Sequence, residues 1–492
     1  MDATKASLDG LIKQASQVVC ELYPMIKRDM LVLDMQDETD HSILVLLTEL
    51  RMDVCFMLLN LEASYRSLLA AESGVEKRIH LKNLMADMHE CYKLLYGYGN
   101  ARNHSIWAKM GSELLSLSEN CPDQMYDLLK GVHDTISSVV LRLAGSDTDK
   151  KNRDLTYHYD DDLLCVYQSL LEAYDEEGVT SRLISFIDLL HSVLFFCQLL
   201  ETVEVVNGYT IPQVDDKIRI QFSFHSLFAG TLRRNDKLIE SLSCIVAGAM
   251  AVDDAARLKK GMAKMMSFWD EKVPGAEFPE VIDMSILANT HLLIQIMLVD
   301  LAAIIRAYLG CGCEYEYPLT LRRLTITRVS TLSHLYGYNS NEREKSLWSF
   351  IEKLIPMSEE GPIKDFYDIQ KELESLLVLS DKENRQLFAH LAVKGKTNVP
   401  EIVKILESIN PAAEIRKAEK LIKVTTRIQV LLSNLMDKLA IDARAKAESS
   451  MERLKAQIAR IRALSKENSC PVDIRRKVNE QMNYLESIMA KL

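Results

Sequence analysis

The chain has 492 residues, of which 48% are hydrophobic and 26% charged, with only 18 glycines and 11 prolines. This composition is typical of a folded helical protein, and the length exceeds what one hydrophobic core usually organises, so two or three domains are expected. The formal net charge of -11 excludes a protein that binds nucleic acid over its whole surface, because such a surface would be basic throughout. It is compatible with a local basic groove.

Apolar residues recur at spacings of three and four through the first half of the chain, which predicts helices. These predicted helices span 5–32, 42–72, 76–96, 105–118, 123–144, 161–175 and 179–203. Over 202–224 the period changes to two and Asn207-Gly208 supplies a turn signal, which predicts a short β-hairpin or an extended linker.

The second half returns to the helical period. Its predicted helices span 226–249, 252–268, 282–310, 318–336, 346–356, 364–380, 400–409 and 411–440. The two most apolar segments, Leu189–Leu200 and Ile286–Leu309, are expected to be buried core helices without membrane contact, because the second carries several polar and charged residues. From Ala440 to Leu492 a mildly basic stretch with a break at Pro471 predicts an appended helical hairpin.

The sequence contains an internal repeat at an offset of about 240 residues, and any fold assignment must account for this repeat. Residues that reappear without a gap are Met57, Leu58, Leu61, Ala63, Arg66 and Leu69, as Met297, Leu298, Leu301, Ala303, Arg306 and Leu309. The repeat predicts an all-α fold of two homologous helical bundles packed as a pseudo-dimer. The expected divisions are a first domain at 1–205, a linker or hairpin at 206–225, a second domain at 226–440 and the hairpin at 441–492.

The turns Tyr96-Gly97-Tyr98 and Tyr336-Gly337-Tyr338 also correspond. Exposed tyrosines beside a glycine can stack on nucleobases, but a helix-ending turn whose aromatic rings plug the bundle is the favoured interpretation.

Ten cysteines are scattered singly, except for Cys311-Gly312-Cys313, which indicates reduced core thiols. No second Cys or His pair at zinc-site spacing lies near Cys311 and Cys313, so no metal is expected. No phosphate loop, dinucleotide fingerprint, nucleophile elbow or zincin motif is present, and no cofactor is expected. The N-terminus lacks the features of a secretory signal, which predicts a cytoplasmic protein.

A motif of the form Asn-Arg-x-Leu-x-x-His occurs at corresponding places in the two copies, with Arg153 and His158 in the first and Arg385 and His390 in the second. Arginine offers a fork of donors that matches phosphate, and histidine exchanges protons near neutral pH, so the pair suits metal-free RNA cleavage at the start of a helix. The alternative is structural, because such residues can also cap a bundle through a carboxylate and a backbone carbonyl.

With these motifs, the helices around them and the tandem copy, the chain resembles the HEPN superfamily, the higher eukaryotes and prokaryotes nucleotide-binding domains. The resemblance implies bundles of four or five helices and a metal-independent endoribonuclease of a bacterial defence or toxin-type system. It also implies a composite site formed where two domains meet.

The catalytic residues that the resemblance implies are Arg153, Asp154, His158, Arg385 and His390. The arginines would bind the scissile phosphate, the histidines would act as acid or base, and Asp154 would orient its histidine. The second copy has Gln386 where the family usually has Asn, Asp or His.

Arg322, Arg323 and Arg328 form a basic stretch on one predicted helix, where they could bind RNA, although a solvated helix face is favoured. The partners expected from the resemblance are RNA and a protein such as an antitoxin. The rival hypothesis is a non-catalytic helical scaffold or partner-binding protein.

Overall fold

The structure is a computed structural model, and its regular elements are almost entirely helical, so the fold is all-α. The residues that it describes are 25–34, 43–71, 74–97, 105–117, 123–143, 176–206, 279–311, 316–354, 363–393 and 396–434.

The first half forms long helices at the places that its apolar periodicity predicts. The described helices are α1 (Ile43–Leu69), α2 (Gly74–Tyr96), α3 (Ile106–Leu117), α4 (Asp123–Leu143) and α5 (Glu176–Val206), and residues 25–34 are also helical. Helix α1 is buried on nearly every side, as expected of a helix that is apolar around most of its circumference. The helix predicted at 161–175 lies outside the described residues.

The predicted change to strand at residue 202 is wrong for the residues that the structure describes. Helix α5 continues to Val206 and includes the three valines before Asn207-Gly208. Extending a helix adds one hydrogen bond per residue, which outweighs the weak and context-dependent strand preference of valine. The remainder of the predicted hairpin or linker lies outside the described residues.

The second half contains helices that differ more from prediction. The described helices are α6 (Pro279–Leu309), α7 (Glu316–Leu335), α8 (Ser340–Glu344), α9 (Leu347–Leu354), α10 (Ile363–Leu376), α11 (Leu379–Ala389) and α12 (Val399–Ser408), and residues 411–434 are also helical. The helix predicted at 364–380 ends at Leu376, and α11 follows as a separate helix that periodicity did not reveal.

A two-stranded antiparallel ladder connects α11 to α12. It consists of β1 (Ala392–Val393) and β2 (Lys396–Thr397), with Ala392 opposite Thr397. The sequence did not predict it, because two residues are too few to show a strand period.

The chain divides into two compact units, one of Met1–Gly261 with Leu292–Ile428, and one of Met262–His291 with Gln429–Leu492. In the first unit, one core cluster combines residues such as Leu58 and Leu84 with Ile326, Phe388 and Val399. Helices of both predicted domains therefore contribute to one core, and the predicted divisions at 205 and 226 stay predictions. In the second unit, the His291 ring lies 2.9 Å from Ser433 Oγ.

The two corresponding turns have similar local structure. Gly97 and Gly337 follow the ends of α2 and α7 with φ values of 69° and 80°, the left-handed conformation in which glycine often ends a helix. The ring of Tyr96 lies 6.2 Å from Trp107, and the ring of Tyr336 lies 6.4 Å from Trp348. These aromatic rings pack in the bundle, in agreement with the favoured interpretation of the turns, whereas the internal duplication as a whole stays a prediction.

Among the described residues, one segment is long and apolar enough to cross a membrane by length and composition, Glu177–Thr202 in α5. Half of its most apolar window is buried inside the fold. The predicted C-terminal hairpin lies outside the described residues.

Candidate functional site

The second Arg/His motif lies at the end of a helix. Arg385 is in the second half of α11, and His390 is the residue that caps the C-terminus of this helix. The expectation that the motif opens a helix is therefore wrong for this copy. The free carbonyls of a helix C-terminus carry partial negative charge, so this end disfavours a phosphate that an N-terminus would attract.

Arg385 and His390 have different neighbours. Burial lowers the pKa of Arg385, although Glu342 and Tyr338 partly oppose this effect. The His390 ring instead lies beside Glu90 in α2. That both side chains converge on one phosphate stays a prediction.

His390 has a carboxylate neighbour from the other half of the chain. Its Nδ1 atom lies 3.8 Å from Oε2 of Glu90, and its side chain is 24% exposed whereas that of Glu90 is 1% exposed. The Asn398 side-chain amide donates to the His390 backbone carbonyl at 3.0 Å, which fixes the position of the histidine after α11. The distance is too long for a hydrogen bond, so the two groups are neighbours across the halves of the chain without a direct bond.

Sequence reasoning missed Glu90. It lies on a helix whose charged residues resemble those of any solvated face, and 300 positions separate it from His390. The first motif, with Arg153, Asp154 and His158, lies outside the described residues.

Arg322 lies in the core rather than on a basic surface. It is 1% exposed, and its Nη1 donates to Asn60 Oδ1 at 3.0 Å. Its Nη2 donates to the backbone carbonyl of Phe388, close to the end of α11. A guanidinium presents five donors in a fixed fork, so one arginine here joins α7 to α1 and to the second Arg/His motif.

The neighbouring arginines are also buried and paired with acidic groups. Arg323 donates to Asp87 in α2. Arg328 lies between Asp381 Oδ2 at 3.0 Å and Glu414 Oε2 at 2.9 Å. Burial alone would lower the pKa of Arg328, but Glu414 and Asp381 outweigh this effect and the pKa is raised.

The accessible basic stretch expected on α7 is therefore incorrect. Spacing along a helix predicts which side chains share a face, but not whether that face meets water or acidic residues from distant parts of the chain. A charged arginine is buried only where carboxylates or carbonyls compensate the loss of hydration, and this protein supplies them.

The junction of α1, α2, α6 and α7 contains further polar contacts. Lys82 Nζ lies 3.1 Å from Asp300 Oδ2, and Arg306 Nη1 lies 3.4 Å from Glu76 Oε2. The Asp87 carboxylate accepts from Ser64 in addition to its contact with α7. These contacts connect helices of the two predicted copies.

A small polar cavity lies at this junction. Its volume is about 20 Å³, and its lining residues are Asn60, Ala63, Ser64, Ser67, His80, Asn83, Ile304, Leu319, Thr320 and Arg323. A space of this size holds about one water molecule, so it does not fit an organic ligand. Burial and then the charges of Arg323, Arg306 and Lys82 lower the pKa of His80 to about 3, so the ring is neutral at pH 7.

Asp53 is a second buried carboxyl group, near the segment that follows α11. It is fully buried, and Thr397 Oγ1 donates to its Oδ1 at 2.7 Å. Burial raises the pKa of Asp53 well above its ordinary value, the hydrogen bond from Thr397 opposes this effect, and Glu49 adds to it. Thus α1 contacts the segment around the second motif through two different polar residues, Asn60 by way of Arg322 and Asp53 directly.

No family model, curated protein or solved structure matches this chain. Among the described residues, no group of three or more His, Cys, Asp or Glu side chains is placed to hold a metal ion.

Proposed function

We propose that this protein is a helical scaffold, of the kind that serves as a binding or regulatory subunit, in which Arg322 and Arg323 of α7 hold the two halves of the first unit together. The observation that carries the proposal is the burial of Arg322, Arg323 and Arg328 in contacts with Asn60, Asp87, Asp381 and Glu414. Side chains engaged in this way are removed from an RNA-binding surface, because RNA affinity depends on cations that can reach phosphates.

The position of the second motif supports the same proposal. His390 lies at the negative end of α11 beside the Glu90 carboxylate, where a phosphate is repelled. An imidazole beside a carboxylate and a partly buried arginine can instead link α11 to its neighbours, which is the structural alternative for this motif.

The proposal is tested by incubating the full-length protein with labelled single-stranded and hairpin RNAs at low salt in the presence of EDTA. We expect neither cleavage nor RNA affinity that falls steeply with salt. Cleavage by the wild type that is lost in His390→Ala, at an unchanged melting temperature, would overturn the scaffold proposal.

A second candidate is the HEPN-like, metal-independent endoribonuclease, with RNA as its substrate. The contact between Glu90 and His390 favours it, because this pair joins the two halves as a composite acid-base site requires. In this case Glu90→Gln and His390→Ala would lower cleavage by about 10²- to 10⁴-fold, as expected for the loss of general acid-base catalysis. His191→Ala on α5 is the matched control and would retain activity, and His158→Ala would reveal whether the first motif takes part.

A further inference from the structure

Two polar contacts within the first unit join the same two repeat positions. In one contact the acceptor belongs to the first copy and the donor to the second, and in the other contact these roles are exchanged. Asn60 and Asp300 correspond at the offset of about 240 residues, and Lys82 and Arg322 correspond at the same offset. Arg322 Nη1 donates to Asn60 Oδ1 at 3.0 Å. Lys82 Nζ donates to Asp300 Oδ1 at 3.2 Å and to Oδ2 at 3.1 Å.

This reciprocity is the signature of a two-fold axis. In an isologous interface, residue i of one subunit contacts residue j of the other, and j of the first contacts i of the second. Here an acceptor on α1 meets a cation on α7, and the corresponding acceptor on α6 meets the corresponding cation on α2. All four residues are at most 4% exposed, so both contacts lie inside the fold.

The small cavity provides an independent observation. Its lining contains His80 together with the corresponding Thr320, and Asn83 together with the corresponding Arg323. Corresponding residues from two subunits can line one small space only near the axis that relates them, because elsewhere the rotation carries them apart.

We propose that the chain contains an isologous interface between two helix pairs, α1 with α2 and α6 with α7. The polar surface of each half therefore binds the corresponding surface of the other half. Asn60 and Asp300 are its equivalent acceptors, and Lys82 and Arg322 are its equivalent donors. This proposal does not depend on whether the protein binds RNA.

The two sides of the interface differ in charge. The contact between Asp300 and Lys82 pairs two charges, whereas that between Asn60 and Arg322 has a neutral acceptor. Arg323 contacts Asp87, while the corresponding residues Asn83 and Thr327 are neutral. At the equivalent acceptor positions, the second half therefore has a carboxylate, Asp300, whereas the first half has a neutral amide, Asn60.

The test exchanges the side chains of the two equivalent acceptors, by Asn60→Asp and Asp300→Asn, and compares the melting temperatures of the full-length variants. We expect Asn60→Asp to melt at or above the wild-type temperature, because Arg322 then meets a carboxylate as Lys82 already does. We expect Asp300→Asn to melt lower by about 2 °C or more, since Lys82 is left with a neutral acceptor. The double variant is expected to melt above Asp300→Asn alone, close to the wild type.

Two outcomes overturn the proposal: a melting temperature of Asn60→Asp below the wild type, or a double variant no more stable than Asp300→Asn. Asn60→Leu is the control, because it has similar size but cannot accept a hydrogen bond, and it is expected to melt below the wild type. If Asp300→Asn alone fails to fold, Asn60→Asp alone decides, because a melting temperature below the wild type overturns the proposal.

Discussion

Thr397 Oγ1 donates a hydrogen bond of 2.7 Å to the buried carboxyl group of Asp53, and so connects the strand after the second Arg/His motif to helix α1. The pKa of this carboxyl group is raised well above its ordinary value, by burial first and by Glu49 in addition. The folded state therefore holds the proton of Asp53 more tightly than the unfolded state does. This contribution to stability is largest at acidic pH and is lost as pH rises from about 4 through the folded-state pKa.

Asp53→Asn is accordingly expected to raise the melting temperature at neutral pH. The amide oxygen accepts from Thr397 as before, and no charge or proton uptake is required. We expect a gain of roughly 1 to 3 °C at pH 7.5 that shrinks toward pH 4, measured by thermal unfolding across this range. Asp29→Asn is the contrasting control, because Asp29 is ion-paired with Arg51 at 2.6 Å and its neutralisation is expected to destabilise. A loss of stability in Asp53→Asn at pH 7.5 would contradict the prediction.

Arg328→Gln is expected to destabilise the protein strongly. The substitution leaves the buried carboxylates of Asp381 and Glu414 with the partly exposed Lys417 as their remaining shared cation. Removing one partner of a buried ion pair typically costs about 3–5 kcal/mol. Chemical denaturation measures the change in the free energy of unfolding. Arg427→Gln is the matched control, because its partner Glu372 is exposed and an exposed pair contributes about 1 kcal/mol or less. Similar losses in both variants would show that burial does not govern these contacts.

His80→Gln is expected to reduce the sensitivity of the protein to acid. The pKa of His80 is lowered to about 3 by burial and by Arg323, Arg306 and Lys82, whose carboxylate partners Asp87, Glu76 and Asp300 also lie at this junction. Because the unfolded chain binds the proton near pH 6.5, stability is lost as pH falls from 6.5 toward 3. Melting temperatures at pH 7, 6 and 5 should fall less steeply for His80→Gln than for the wild type. Parallel curves would exclude a contribution from this ring.

Gly337→Ala is expected to destabilise the protein by about 1–3 kcal/mol. The residue has a φ of +80°, and an added Cβ would lie 2.6 Å from the backbone nitrogen of Arg343 and 2.7 Å from the carbonyl carbon of Glu342. Gly131→Ala in α4 is the control, since nothing lies within 4 Å of the added atom and a helical glycine is usually improved by alanine. Equal effects in the two variants, measured by denaturation, would refute the strain argument.

The all-α class and most helix positions follow from the sequence, because apolar spacing is a local property. Helix α1 ends at Leu69 and α6 at Leu309, as the repeat indicates. Helix α11 and the ladder after it were missed, since α11 is largely polar and the strands are too short for periodicity. Local signals therefore predict regular, apolar helices and fail where a short element is fixed by contacts with distant residues.

The candidate site was less predictable for the same reason. An arginine paired with a carboxylate on its own helix leaves a sequence signal, as Arg66 does with Glu62 at 2.7 Å. Arg322 and Arg323 meet Asn60 and Asp87, which lie more than 200 positions away, and no spacing rule connects them. The neighbour of His390 is likewise distant in sequence, because Glu90 could be identified only from the folded chain.

The shared core of the first unit also bears on how such a chain can be shortened. Removing everything after residue 206 would leave Asn60, Lys82, Glu76 and Asp87 facing solvent on a surface that also exposes core leucines. Removing the first half would likewise leave three arginines and a carboxylate of the second half without their partners from the first half and exposed to solvent. Neither half can be removed without exposing a surface that promotes self-association. Once the two halves are fused, the single chain is therefore hard to separate again into independent proteins.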